Sequence, residues 1–186
     1  GPKALISRPC LIALSGVPYA LLHEAAVGGP AGDDTARIYN LGAWSAPFGI
    51  TLVADRLSTL MLALTATLAG GGLLFSYARW DRAGPRFHAL YLLLIMGVNG
   101  AVLTGDLFNL FVFFEVMLAA SYGLLLHGSG EKRVRAGLGY VAINLTASLF
   151  FLIGVSLVYG VSGPLNMAHI ASKVSGIPPH DRALFH

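Results

Sequence analysis

One carboxyl group stands in the middle of LFNLFVFFEVMLAASYGLLL, residues 107–126, a run dominated by Leu, Phe, Val and Ala. It belongs to Glu115. A charge at the centre of a bilayer costs roughly 2.5–3.5 kcal/mol on translocon scales, and a glutamate is too short to reach the headgroups from there. The acid must be neutral, paired or turned toward a hydrated cavity. Hydrocarbon surroundings disfavour the charged form of a carboxyl group. A group held in that condition takes and releases protons, which is the property a proton relay needs. The plainer reading is a permanently protonated acid that hydrogen-bonds a neighbouring helix. Ionisable groups at this depth are functional by default, so the relay reading is preferred.

Further polar side chains occur at similar depth. Asn99 and Asn109 flank a turn, and Asn144, Thr146 and Ser148 fall midway along a later apolar run. Asn144 is one candidate to meet Glu115 across the bundle, and the sequence alone leaves the partner open. His169, near the end of the chain, is a candidate for proton entry or exit. Taken singly, the Ser, Thr and Asn residues are read as hydrogen bonds between helices.

These depths depend on the elements that carry the residues. The chain has 186 residues, 55% hydrophobic and 11% charged, with a mean hydropathy of +0.70. Soluble domains carry about 25% charged residues. The composition therefore points to an integral membrane protein of the all-α class, a polytopic bundle of transmembrane helices. A crossing needs about 20 apolar residues. Candidate spans lie near 9–27, 56–78, 88–104, 106–127 and 136–160. The first is the weakest, since Pro18 would kink it. As one helix, 88–127 would be about twice as long as the membrane is thick. Thr104-Gly105-Asp106 is the polar turn signal that folds it back on itself.

Charge supports five crossings. Segments 1–8, 79–88 and 131–135 hold eight of the twelve Lys and Arg residues but only two acids, Asp81 and Glu131. Residues 23–56, the 104–106 turn and 161–186 hold the remaining four bases and six acids. Five spans place the basic set on one side, which the positive-inside rule makes cytoplasmic. Residues 1–8 are then inside, and the C-terminal tail 161–186 is outside. The outer loop 28–55 carries two β-prone pieces, near 36–41 and 48–54, that suggest a small hairpin. Residues 164–175 have the spacing of a short amphipathic interfacial helix.

Other chemistries find little support. The single cysteine, Cys10, gives neither an internal disulfide nor a metal pattern. His23, Glu24, Asp33 and Asp34 fit no ligand spacing. Ala69-Gly70-Gly71-Gly72 lacks the strand and the Lys-Ser/Thr of a phosphate loop, so it reads as a close-packing surface. Asn144-Leu145-Thr146 matches a glycosylation sequon but lies within a span. There is no hydrolase elbow and no nucleotide fingerprint, so no cofactor is expected, and the scattered basic residues do not make a nucleic-acid face. The sequence lacks an initiator Met and a signal peptide, which suggests a fragment or a processed chain.

The blocks LTGDLFNLFVFFEVMLAASYGLLL (103–126), APFGITLVADRLSTLMLALTA (46–66), GLGYVAINLTASLFFLIGVSLVYG (137–160) and GPLNMAHIA (163–171) together resemble one family. It is the D-type subunit of the Mrp-type multisubunit cation/proton antiporters, relatives of the proton-pumping subunits of respiratory NADH dehydrogenase and membrane-bound hydrogenases. The resemblance implies a larger bundle built from inverted helical repeats, of which this chain matches the second to sixth helices. It implies other antiporter subunits as partners, protons and Na⁺ or another monovalent cation as cargo, and residence in a bacterial cell membrane. It also makes Glu115 the family's translocating glutamate, whose lysine partner would lie on a later helix beyond His186. Two alternatives stand beside it: a pumping subunit of a dehydrogenase or hydrogenase, and a membrane scaffold that only holds partners together.

Overall fold

The computed structural model of the chain describes residues 37–41, 49–76, 86–127 and 130–174. The expected segment 1–8 and span 9–27 lie outside the described residues, as does the end of the tail. Two short strands, β1 (Arg37–Asn40) and β2 (Thr51–Ala54), pair antiparallel with Arg37 opposite Ala54 and Asn40 opposite Thr51. Among the described residues five helices follow: α1 (Arg56–Ser76), α2 (Phe87–Leu103), α3 (Leu107–Leu125), α4 (Glu131–Ser162) and α5 (Met167–Val174). The molecule is thus a helical membrane bundle with one small hairpin at an end. Among the described residues α1, α3 and α4 are long and apolar enough to cross a membrane. The 17 residues of α2 reach the lower limit for a crossing.

The ends of these helices follow from local chemistry. Asp55 caps α1: its carboxylate accepts from the Ser58 backbone N–H and hydroxyl, both at 2.6 Å. Those two bonds hold the Asp55 carboxyl below its ordinary range. Asp106 caps α3 in the same way, accepting from Asn109 N–H at 2.9 Å. Helix α4 runs 32 residues, about 48 Å, so it outlasts the hydrocarbon core and contains the whole expected span 136–160. It starts at Glu131, within the basic cluster, where an acid in the first turn suits the helix dipole. Arg133 Nη1 ties that turn to the His127 carbonyl at 2.6 Å. Gly163, at φ 83°, ends the helix in a conformation few other residues adopt, and Pro164 follows.

Helices α2 and α3 form the tightest pair. They run antiparallel around the 104–106 turn, and α2 presents glycines where α3 comes closest. Gly97 faces the backbone of Met117, Gly100 faces the ring of Phe113, and Leu90 packs on Gly123. This register puts Asn99 level with Glu115. The wall between α1 and α2 is pinned by Tyr91, whose hydroxyl donates to the Ala69 carbonyl at 2.7 Å. Gly72 makes room for that ring, whereas Gly70 and Gly71 face open space, so only the last glycine of the run packs as expected.

Candidate functional site: the seam between α3 and α4

Glu115 is the ninth of the 19 residues of α3, so it lies about 12 Å along a helix about 28 Å long. It is half-buried. Helix α4 packs beside α3 in antiparallel register. Three contacts define that seam: Phe111 against Phe151, Tyr122 against Tyr140, and Leu125 and Leu126 against Gly137. At the level of Glu115 the residue facing it is Ser148. The Ser148 hydroxyl donates to Glu115 Oε1.

The structure brings Ser148 to the carboxyl group and places the candidate Asn144 elsewhere. Asn144 lies one turn away from Ser148 on α4, and its side-chain N–H donates to the Tyr140 carbonyl of its own helix at 2.7 Å. The serine faces Glu115 because the seam register places residue 148 opposite 115. No spacing within either helix reveals that register. Asn144 and Ser148 both line a pocket of about 240 Å³ with Phe111, Phe114, Met117 and Phe151. Aromatic rings dominate the surroundings. Phe151 stacks on Phe111 (centroids 6.3 Å apart) and meets Phe114 edge-on at 5.9 Å. Toward the α3–α4 loop the seam turns polar again. Ser121 and Tyr140 share a hydrogen bond of 3.1 Å between their hydroxyls. The buried Tyr122 hydroxyl has no hydrogen-bond partner among the described residues.

The remaining predicted residues separate into different places. Asn99 sits on α2 at the height of Glu115, with a buried side-chain oxygen that finds no hydrogen-bond partner among the described residues. Asn109 is buried at the turn instead, where its amide donates to Thr104 Oγ1 at 2.9 Å, so it locks the α2–α3 connection. His169 is on α5, and its backbone N–H donates to Asn166 Oδ1 at 3.2 Å. These contacts place Asn109 and His169 around the turn rather than at the carboxyl group. No group of three or more His, Cys, Asp and Glu side chains comes together among the described residues.

A second polar assembly, which no motif in the sequence signals, joins three distant segments. Asn166 Nδ2 donates to Thr51 Oγ1 at 3.3 Å, and the Thr51 hydroxyl in turn donates to Asn40 Oδ1 at 3.2 Å. The Thr51 carbonyl accepts from Gly105 N–H at 2.8 Å, and Gly105 O accepts from Met167 N–H at 2.9 Å. Hairpin, turn and α5 are thereby tied at one end of the bundle. Thr51, Thr104, Asn109 and Asn166 are all buried there.

Residues 104–182 match the family described as NADH:quinone oxidoreductase/Mrp antiporter, TM. In sequence the chain is a relative of the D-type antiporter subunits. It is 59% identical over 164 residues to the D-type subunit of a probable K(+)/H(+) antiporter of Rhizobium meliloti, covering 88% of this chain and 30% of that protein. It is 48% identical over 139 residues to the D-type subunit of the Na(+)/H(+) antiporter of Alkalihalophilus pseudofirmus, covering 74% of this chain and 28% of the relative. The chain thus spans under a third of the length of these relatives. Among solved structures it is similar to a chain of the membrane-bound sulfane sulfur reductase, an archaeal respiratory membrane complex. That match has a TM-score of 0.86 at 27% identity, over 98% of this chain and 36% of that one. A chain of the Mrp complex from a Dietzia species matches with a TM-score of 0.78 at 33% identity, over 93% and 34%.

Proposed function

We propose that this chain is part of a multisubunit monovalent cation/proton antiporter and that Glu115 takes up and releases the translocated proton. The observation that carries this reading is the carboxyl group at the middle of an apolar crossing helix, met from the next helix by a hydroxyl. A carboxylate accepts hydrogen bonds and a carboxylic acid also donates one, so a hydroxyl partner serves both states as the proton comes and goes. The names of the D-type relatives supply the cargo: protons against Na⁺ or K⁺. The site works in a bacterial cell membrane. The basic segments 79–88 and 131–135 lie inside, and the hairpin, the 104–106 turn and α5 lie outside. Glu115→Gln in the intact complex tests the assignment. Proton/cation exchange in everted vesicles falls to background with assembly unchanged, and exchange at the wild-type rate contradicts it.

A second reading keeps the site and changes its driver. The sulfane sulfur reductase chain overlays almost all of this one, so the same bundle would serve as a proton pump beside redox subunits. Purification of the native complex separates the two. Small antiporter subunits support exchange, whereas iron–sulfur and quinone-binding subunits support pumping. A scaffold without transport predicts instead that Glu115→Gln leaves flux intact while Glu115→Ala weakens assembly.

A further inference from the structure

Four residues of α4 carry a Ser or Thr hydroxyl, and three of them behave alike. Thr146, Ser156 and Ser162 each donate to the carbonyl four residues back in their own helix, Ala142, Leu152 and Val158, at 2.7–2.8 Å. In α1, Thr65 and Thr67 do the same at 2.8 Å. This is the ordinary resting place of a hydroxyl in an apolar helix, because the nearest acceptor is its own backbone. Ser148 departs from it and reaches across the seam to Glu115 Oε1. No other donor to this carboxyl group occurs among the described residues. Of the neighbouring seam side chains, Phe111, Phe114, Leu118 and Phe151 offer none, and the Asn144 amide donates to the Tyr140 carbonyl instead.

We propose that Ser148 is a positioning residue for Glu115: its hydroxyl fixes the carboxyl group against the α3–α4 seam. This rests on the proposed role of Glu115. A hydroxyl can donate to the carboxyl group and also accept from it, so it holds the group in either state. The rings of Phe111, Phe114 and Phe151 cannot replace it. Without the hydroxyl the carboxyl group keeps its place on α3 but loses its fixed orientation and its donor.

The test compares Ser148→Thr with Ser148→Val in the intact complex. The two side chains share a shape, and valine carries a methyl group where threonine carries the hydroxyl. At equal assembly, Ser148→Thr exchanges protons for cations at close to the wild-type rate, whereas Ser148→Val is about tenfold slower or worse. Equal exchange in both variants overturns the proposal. Should the valine variant not assemble, Ser148→Ala takes its place on the same terms. Infrared difference spectroscopy gives a second reading that does not depend on turnover. The carboxylic C=O band that disappears in Glu115→Gln moves to higher frequency in Ser148→Ala, and an unmoved band refutes the contact. Wild-type exchange by Glu115→Gln would instead overturn the role of Glu115. An inactive Glu115→Gln with equal Thr and Val variants overturns the role of Ser148 alone.

Discussion

Helices α2 and α3 approach so closely that their packing can be tested by adding a single carbon. At Gly97 a Cβ would lie 2.8 Å from Met117 N and 2.9 Å from Met117 Cα. These are backbone atoms, so no side-chain rotation relieves the overlap. The helices must separate by about 0.6 Å to regain ordinary contact, or one must bend, and overpacking of that kind costs about 1–3 kcal/mol. Alanine returns up to about 1 kcal/mol through its better helix propensity. Gly97→Ala therefore destabilises by roughly 1–2 kcal/mol and lowers the temperature at which the assembly is lost. The comparison variant is Gly72→Ala, where the added carbon meets the tip of the Tyr91 side chain at 2.7 Å. There the ring swings away and loses its bond to Ala69, for about 1 kcal/mol. The propensity gain offsets most of that loss. The assay heats the solubilised complex in steps and follows the surviving assembly by size-exclusion chromatography. A Gly97→Ala variant as stable as wild type, or less damaging than Gly72→Ala, would refute the α2–α3 packing described above.

Three further outcomes follow from the polar ends. Asn166→Ala removes a buried amide that holds Thr51 and caps His169, and it lowers stability by about 1–3 kcal/mol, read by the same heating assay. Asp106→Ala removes the cap of α3 for about 1 kcal/mol, and hydrogen exchange shows faster opening of the first turn of α3 but not of α4. The lowered pKa of Asp55 means that its cap is fully present above the ordinary carboxylate range and is lost as pH falls through the folded value. Acidification should therefore loosen the start of α1 in the wild type, and Asp55→Ala should show that loosened state at neutral pH with little pH dependence of its own.

Much of the bundle is legible in the residues because it depends on local signals. Thr104-Gly105-Asp106 announces the turn between α2 and α3, and the apolar lengths announce α1, α3 and α4. Helix α4 begins at Glu131, ahead of the expected 136, since a charged cluster reads as a loop while Gly130, Glu131 and the bond from Arg133 to His127 make it a helix end. Glu115 stands out through its chemistry alone. Its partner does not, because Ser148 and Asn144 are one turn apart on the same face and only the register of α3 against α4 separates them. The assembly of Asn40, Thr51, Gly105 and Asn166 is hidden for the same reason: residues 51 and 166 meet through folding, and each looks ordinary in its own segment.

The most direct measurement is of dye-monitored proton release in everted vesicles, with Na⁺ or K⁺ added to an imposed pH gradient. The vesicles carry the intact complex with Glu115 or with Glu115→Gln at matched abundance. Added cation collapses the gradient in the wild type, and the glutamine variant leaves it standing. A gradient that collapses equally in both would show that the carboxyl group is not on the proton's route.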